Sequence, residues 1–291
     1  MTNIKDSISI RKLTSPREYI QCEGLQQAIW RAEPIEVTPS DMLITIQRHG
    51  GLVLGAFDKN LSMVGFVFGF LGYTTIDNPL TLQSQIQHCS HAMGIVPEWQ
   101  GQSIGYNLKV AQREYVIRQD INLMTWTYDP LEIPNAILNI HKLGAICQCY
   151  LPDLYGNMPD DLNAGLPSDR FEVVWKILSG RVSERISKGI LPIVEGWEKY
   201  VVVNPSSRMS NGLAKPGKTI LEANNEKLLI EAPNNFQLIK KQNSTLALDW
   251  RLSLREVFQK YFKMGYVVSD VVASKELTSF YYMIEPADKI K

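Results

Sequence analysis

The stretch best equipped for chemistry runs from His91 to Tyr106, HAMGIVPEWQGQSIGY. It reads as a strand ending at Val96, where Pro97 stops ladder pairing, followed by a loop with Gly101 and Gly105 that leads straight into a helix. Such a loop leaves several backbone N–H groups unpaired at the positive end of the helix dipole, a seat for phosphate or pyrophosphate. His91 carries an imidazole that titrates near neutrality and suits a base. Glu98 and Asp129 each follow a predicted strand at its C-terminal end, where α/β sites gather. The four cysteines, Cys22, Cys89, Cys147 and Cys149, form no C-x-x-C pair, and in an unsecreted chain they stay reduced. Cys147 and Cys149 are two apart and on a strand share a face. His88, Cys89 and His91 spell a metal-like cluster, but an extended segment points the two histidines to opposite faces, so no metal is expected.

The elements that must position these groups follow from periodicity. Residues 7–13 alternate as a strand, 16–32 and 41–49 read as helices, and LVLGAF and MVGFVFGFLG form a hairpin around Asp58-Lys59-Asn60. After the strand over 85–96 come a helix over 103–119, the strand INLMTWTY, a helix over 135–143 and the strand AICQCYL. A long loop over 152–169 precedes the strand FEVVWKIL. The polar run SGRVSERISKG reads as a linker. Beyond it lie strands near 199–203 and 226–232, a mobile loop over 205–217, a long helix near 244–264 with a broad apolar face, and two last strands near 266–273 and 278–284. One faint echo links Lys142-Leu143-Gly144 to Lys263-Met264-Gly265, each a helix end before a strand, and suggests a half-domain duplication.

The 291 residues carry 30 basic and 30 acidic side chains, with 45% apolar residues. Balanced charge removes the footprint of a nucleic-acid binder. The longest apolar run, Val64 to Tyr73, is about half of a bilayer span, and the N-terminus alternates and carries charge early, unlike a signal peptide. These features place the chain as a cytoplasmic globular protein that handles a small molecule.

The residues Gly94-Ile95-Val96-Pro97-Glu98-Trp99 and Gln100-Gly101-Gln102-Ser103-Ile104-Gly105 resemble the GNAT (Gcn5-related N-acetyltransferase) superfamily, whose motif is Arg/Gln-x-x-Gly-x-Gly/Ala. Gln100 and Gly105 fit its ends, while Ser103 stands where the family has glycine. Lys142-Leu143-Gly144 fits the family's Tyr-x-Lys-Leu-Gly ending, but Ile140 replaces the tyrosine. The resemblance spans about residues 7–178, and a narrower one, carried by His-Lys-Leu-Gly-Ala and Gly165 to Arg170, is to predicted acetyltransferases with a C-terminal extension.

The resemblance implies a mixed, mostly antiparallel sheet flanked by helices over 1–178 (class α/β, or α+β). It implies acetyl-CoA or another acyl-CoA as co-substrate, no metal, and transfer to a small amine acceptor by direct attack. Main-chain groups of Gly94, Ile95 and Val96 are implied to hold pantetheine, and Gln100, Gly101, Gln102, Ser103, Ile104 and Gly105 to cradle the pyrophosphate. Asn135 and Asn139 are implied near the pantetheine arm, or else as a helix cap and an exposed residue. His91 is the first candidate base, with Glu98 and Asp129 behind it, and Tyr128 is a substitute for the missing acid. Ser103 and Ile140 favour the alternative, an acyl-CoA-binding sensor or interaction module without turnover. Residues 179–198 are expected as linker, and 199–291 as a smaller α/β unit forming part of the acceptor pocket or a homodimer surface. There Arg251 and Arg255 stand at i, i+4 and are expected either to receive an acidic group or to pair locally. Neither a nucleic acid nor a membrane is expected as partner.

Overall fold

The computed structural model describes residues 8–74, 85–158, 163–189, 197–274 and 279–290. They divide into two compact units, 8–74 with 85–126, and the remainder from 127 onward. Among the described residues no helix is long and apolar enough to cross a membrane.

In the first unit, β1 (Ser9–Lys12), α1 (Pro16–Trp30), α2 (Ser40–Arg48), β2 (Leu52–Phe57), β3 (Met63–Tyr73), β4 (Ile86–Ile95), α3 (Ile104–Ile117) and β5 (Leu123–Tyr128) follow in order. Strands β1 to β4 pair antiparallel in sequence order, and β5 joins β4 in parallel. Helices α1 and α2 cover one face through Tyr19, Cys22, Leu43, Phe66 and Phe68. Helix α3 covers the other through Ile104 and Leu108, packed on Leu54, Val64 and Val67. Burial on both faces explains why β3 reads as an unbroken apolar run rather than an alternating one. Ser15 starts α1 by accepting from the Glu18 amide, with Pro16 at the first helical position.

The second unit takes the last two residues of β5 and adds α4 (Ile133–Ala136), which continues as a π-helix over Ile137–Lys142. Then come β6 (Ile146–Leu151), β7 (Arg170–Lys176), α5 (Gly180–Lys188), β8 (Val201–Val202), β9 (Ser206–Arg208), β10 (Ala214–Pro216), β11 (Leu228–Pro233), α6 (Phe236–Gln242), α7 (Ser244–Lys263), β12 (Tyr266–Ala273) and β13 (Ser279–Pro286). The strand order is β7-β6-β12-β13-β11-β8, antiparallel except for the parallel pair β11 and β8. Its core is aromatic, with Phe171 edge-on to Phe258 at 4.6 Å and to Tyr282 at 5.5 Å. In each unit the strand pairing is thus mixed and mostly antiparallel, with helices against it.

Three expectations change here. The polar run read as a linker holds α5, capped by the Ser179 hydroxyl accepting from the Val182 amide. The stretch read as a mobile loop over 205–217 contains the β9–β10 hairpin. Cys147 and Cys149 do not share a face in simple alternation, because a bulge at Gln148 separates them; Cys147 is buried and Cys149 only partly so. The two compact units part within β5, between Trp126 and Thr127, and in the second β6 pairs with β12, Cys147 opposite Val268.

The faint sequence echo acquires a geometry. Gly144 and Gly265 both hold φ near +80° (+76° and +86°) at a helix end, and each leads into a strand followed by an antiparallel partner. Register breaks at Gln148 in β6 and at Ser269 in β12, each one residue past the facing pair Cys147 and Val268. Two helix–glycine–hairpin segments, 121 positions apart, therefore meet edge to edge as near copies.

Candidate functional site

The first unit builds an open strand edge beside a helix N-terminus. Among the described residues β4 and β5 pair only at His88 with Met124 and Cys89 with Thr125. From Ser90 to Ile95, β4 keeps β3 on one side and has no ladder to β5 on the other. The Val96 amide donates to the Val64 carbonyl at 3.0 Å, which sets the alternation: Val96 and Gly94 turn their main chain to β3, Ile95 and Met93 to the open edge. Of the three residues expected to offer main-chain groups, Ile95 alone faces the gap. Met93, which the sequence reading omitted, faces it too. Gly94 is tightly packed: a Cβ there would stand 3.0 Å from Ile29 of α1 and from Phe66.

A single 3₁₀ turn over Pro97–Trp99 carries the chain from β4 toward α3. Gln100 bends back, its Nε2 donating to the Ile95 carbonyl at 3.0 Å, and Gln102 donates to the Glu98 carbonyl at 3.4 Å. Gly101 (φ +75°) has open space where a side chain would be. Ser103 is the N-cap residue of α3 but sits at φ 62°, ψ 11°, and its hydroxyl makes no cap hydrogen bond. An ordinary serine cap needs an extended backbone, whereas this turn needs a left-handed one. Ile104 buries its side chain in the core, which leaves its amide and that of Gly105 in the first turn of the helix.

His91 stands at a β-bulge: Phe68 faces Ala92 and Gly69 faces Ser90, so His91 is the extra residue. Its ring lies 5.5 Å from Phe68 and 5.9 Å from Phe70, and this apolar contact lowers its pKa although one side stays exposed. Glu98 is exposed on the 3₁₀ turn.

The other candidates lie in the second unit. The Tyr128 hydroxyl is buried beside Tyr282, its ring against Phe171, and burial pushes its pKa well up. Asp129 is gripped by both terminal nitrogens of Arg251, at 2.7 and 2.5 Å. Arg255 likewise holds Asp169, which also accepts from the Tyr150 hydroxyl at 2.7 Å. The two arginines thus pair with carboxylates of their own chain. Asn135 is exposed in α4, whose N-cap is Glu132 rather than Asn135. Asn139 is buried in the π-helical turn, the reverse of the exposed alternative, and Ile140 beside it is fully buried.

A polar cluster that sequence reasoning missed lies beneath the fork of β4 and β5. The Lys109 ammonium nitrogen, on α3, donates to the Ser90 hydroxyl at 2.7 Å and sits 3.6 Å above the Trp126 ring. Ser90 donates to Gln112 Oε1 at 3.0 Å, and Gln112 Nε2 lies 3.1 Å from His88 Nε2. The network therefore uses His88 Nε2 as an acceptor and puts the imidazole proton on Nδ1, which has no hydrogen-bond partner among the described residues. Burial and Lys109 together lower the His88 pKa to about 4. Burial also holds the Lys109 pKa well below the usual lysine value. The available signal was the i, i+3 spacing of Lys109 and Gln112 on a helix against alternate residues His88 and Ser90 on a strand. His88 and His91 do point to opposite faces.

No protein-family model and no curated protein matches this chain. Solved structures do. A NatC complex bound to Gag peptide and CoA aligns at 11% identity over 58% of this chain and 98% of its own, TM-score 0.45. The Escherichia coli N-acetyltransferase for a ribosomal-protein alanine aligns at 13% over 60% and 96%, TM-score 0.44. A presumed GNAT-family acetyltransferase from Desulfovibrio desulfuricans aligns at 15% over 58% and 99%, TM-score 0.42. The chain is thus similar, at identities that bear on fold alone, to solved acetyltransferases of the GNAT family.

Proposed function

We propose that the first unit binds an acyl-CoA and transfers its acyl group to a small amine. One observation carries this reading: β4 parts from β5 after Cys89 and leaves the main chain of Met93 and the amide of Ile95 open, next to a left-handed loop that feeds α3. The Ile95 amide suits the pantetheine arm, and the amides from Gly101 to Gly105 suit the pyrophosphate. When bound, the thioester supplies an activated carbonyl for an attacking amine. In this reading His91, on its bulge and with its pKa lowered by burial against the phenylalanines, takes the proton that the amine loses.

The reading is tested by calorimetric titration of CoA and by thiol release from acetyl-CoA with a panel of primary amines. Binding with amine-dependent release is expected, and no CoA binding at millimolar concentration would overturn it. A second reading, an acyl-CoA sensor without turnover, draws on the buried Ile140 where the family places its tyrosine. Binding without release from any amine would favour it.

A further inference from the structure

We propose that Lys109, acting through the Ser90 hydroxyl, supplies the proton that the departing thiolate needs. The proposal rests on the acyl-transfer reading above, which leaves the general acid unassigned. Ser90 and Trp126 are the first residues past the last β4–β5 pair, so the groups they hold mark the closed end of the fork. Lys109 reaches that point from the second turn of α3, the helix whose first turn faces the open end. A ligand anchored at the first turn and laid along Ile95 and Met93 brings its reactive end toward Ser90.

The surroundings of Lys109 fit an acid rather than a structural ion pair. The groups facing it are Ser90 and His88 from β4, Trp126 from β5 and Gln112 from its own helix. Strands β1, β2 and β3 turn apolar side chains such as Ile10, Leu54 and Val67 toward α3. Lys109 is only 3% exposed, and no ion pair involving it is found among the described residues. An ordinary lysine ammonium is a weaker acid than a thiol and would protonate a thiolate uphill. Burial with no carboxylate found beside it makes the ammonium a stronger acid and favours that transfer.

The step balances. The amine nitrogen bonds to the acyl carbon and the carbon–sulfur bond breaks, its electron pair staying on sulfur. Ser90, whose hydroxyl donates to Gln112 in this structure, turns to give its proton to the sulfur and takes one from Lys109 Nζ. Lys109 is left as the neutral amine and regains a proton from solvent. The proton lost by the acceptor amine passes to His91 and then to solvent.

The test uses the full chain labelled with ¹⁵N-lysine, and CoA as the probe. One Nζ resonance, absent from Lys109→Met, should titrate well below the others and shift when CoA binds. Lys109→Met and Lys109→Arg should bind CoA within about twofold of wild type. Both should release thiol about 100-fold more slowly, the usual scale for a lost general acid, and both should lose the alkaline limb of the pH–rate profile. Wild-type rates in either folded variant, or a Lys109 resonance indifferent to CoA, would overturn the proposal. Should the variants fail to fold, the wild-type resonance, assigned by its proximity to the Trp126 ring, still decides. A wild type that does not bind CoA would instead bring down the acyl-CoA reading and this proposal with it.

Discussion

Asp129, at the end of β5, and Arg251, on α7, form a two-pronged ion pair across 122 residues of sequence, with side chains only 11% and 3% exposed. Breaking such a pair leaves a buried charge without its main partner, since Arg170 approaches the same carboxylate only to 3.8 Å. Asp129→Asn or Arg251→Met should each cost about 3–5 kcal/mol in urea unfolding. The double replacement Asp129→Asn with Arg251→Met should cost less than the two single changes together. Simple additivity would show that the pair is not coupled.

The pH dependence of stability should carry the mark of His88. Its folded pKa of about 4 lies below the ordinary 6.5, so the unfolded chain binds the proton first as pH falls. Stability is therefore unaffected above pH 6.5 and is lost progressively between 6.5 and 4, by about 3 kcal/mol in all. Protonation would also put an N–H against the Gln112 amide donor. His88→Gln should flatten that part of the curve, and an unchanged slope in chemical denaturation at pH 4.5 would refute the assignment.

Relief of backbone strain is expected from Ser103→Gly. The serine holds φ 62° with no compensating cap bond, and such a conformation costs about 1–2 kcal/mol, partly offset by the extra chain entropy of glycine. A net gain of about 0.5–1 kcal/mol should appear in thermal and urea unfolding. CoA affinity should hold or rise. A loss of stability would mean that the hydroxyl has a role not visible here.

The two repeated glycines should respond unequally to alanine. Gly265 at φ +86° has nothing within 4 Å of a built Cβ, so strain alone applies, about 1 kcal/mol. At Gly144, φ +76°, the Cβ would also stand 3.1 Å from Arg185 Cγ. Arg185 holds the His141 carbonyl and Asp270 at 2.7 and 2.6 Å. Gly144→Ala should therefore cost more than Gly265→Ala in the same unfolding assay, and equal costs would count against the Arg185 contact.

Much of the fold was legible because periodicity and punctuation are local. The strand–turn–helix from His91 to Tyr106, the β2–β3 hairpin and the long apolar face of α7 all follow from residues a few positions apart. The α5 helix was not, since its polar surface resembles a linker and its cap, Ser179, is one weak signal among many serines. The β9–β10 hairpin was hidden for a related reason: its strands are three residues each, too short to alternate visibly.

By itself the sequence determined the order of elements, the glycine loop ahead of α3 and the near repetition of two helix–glycine–strand junctions. Only the tertiary structure decided which main-chain groups of β4 remain open, because one residue inserted at His91 and the partner strand β3 fix every later orientation. It also decided that Asp129 answers to Arg251, and that Lys109 is buried with no carboxylate paired to it among the described residues. Charge pairing and desolvation act through space, between residues the chain keeps far apart, and no local pattern records them.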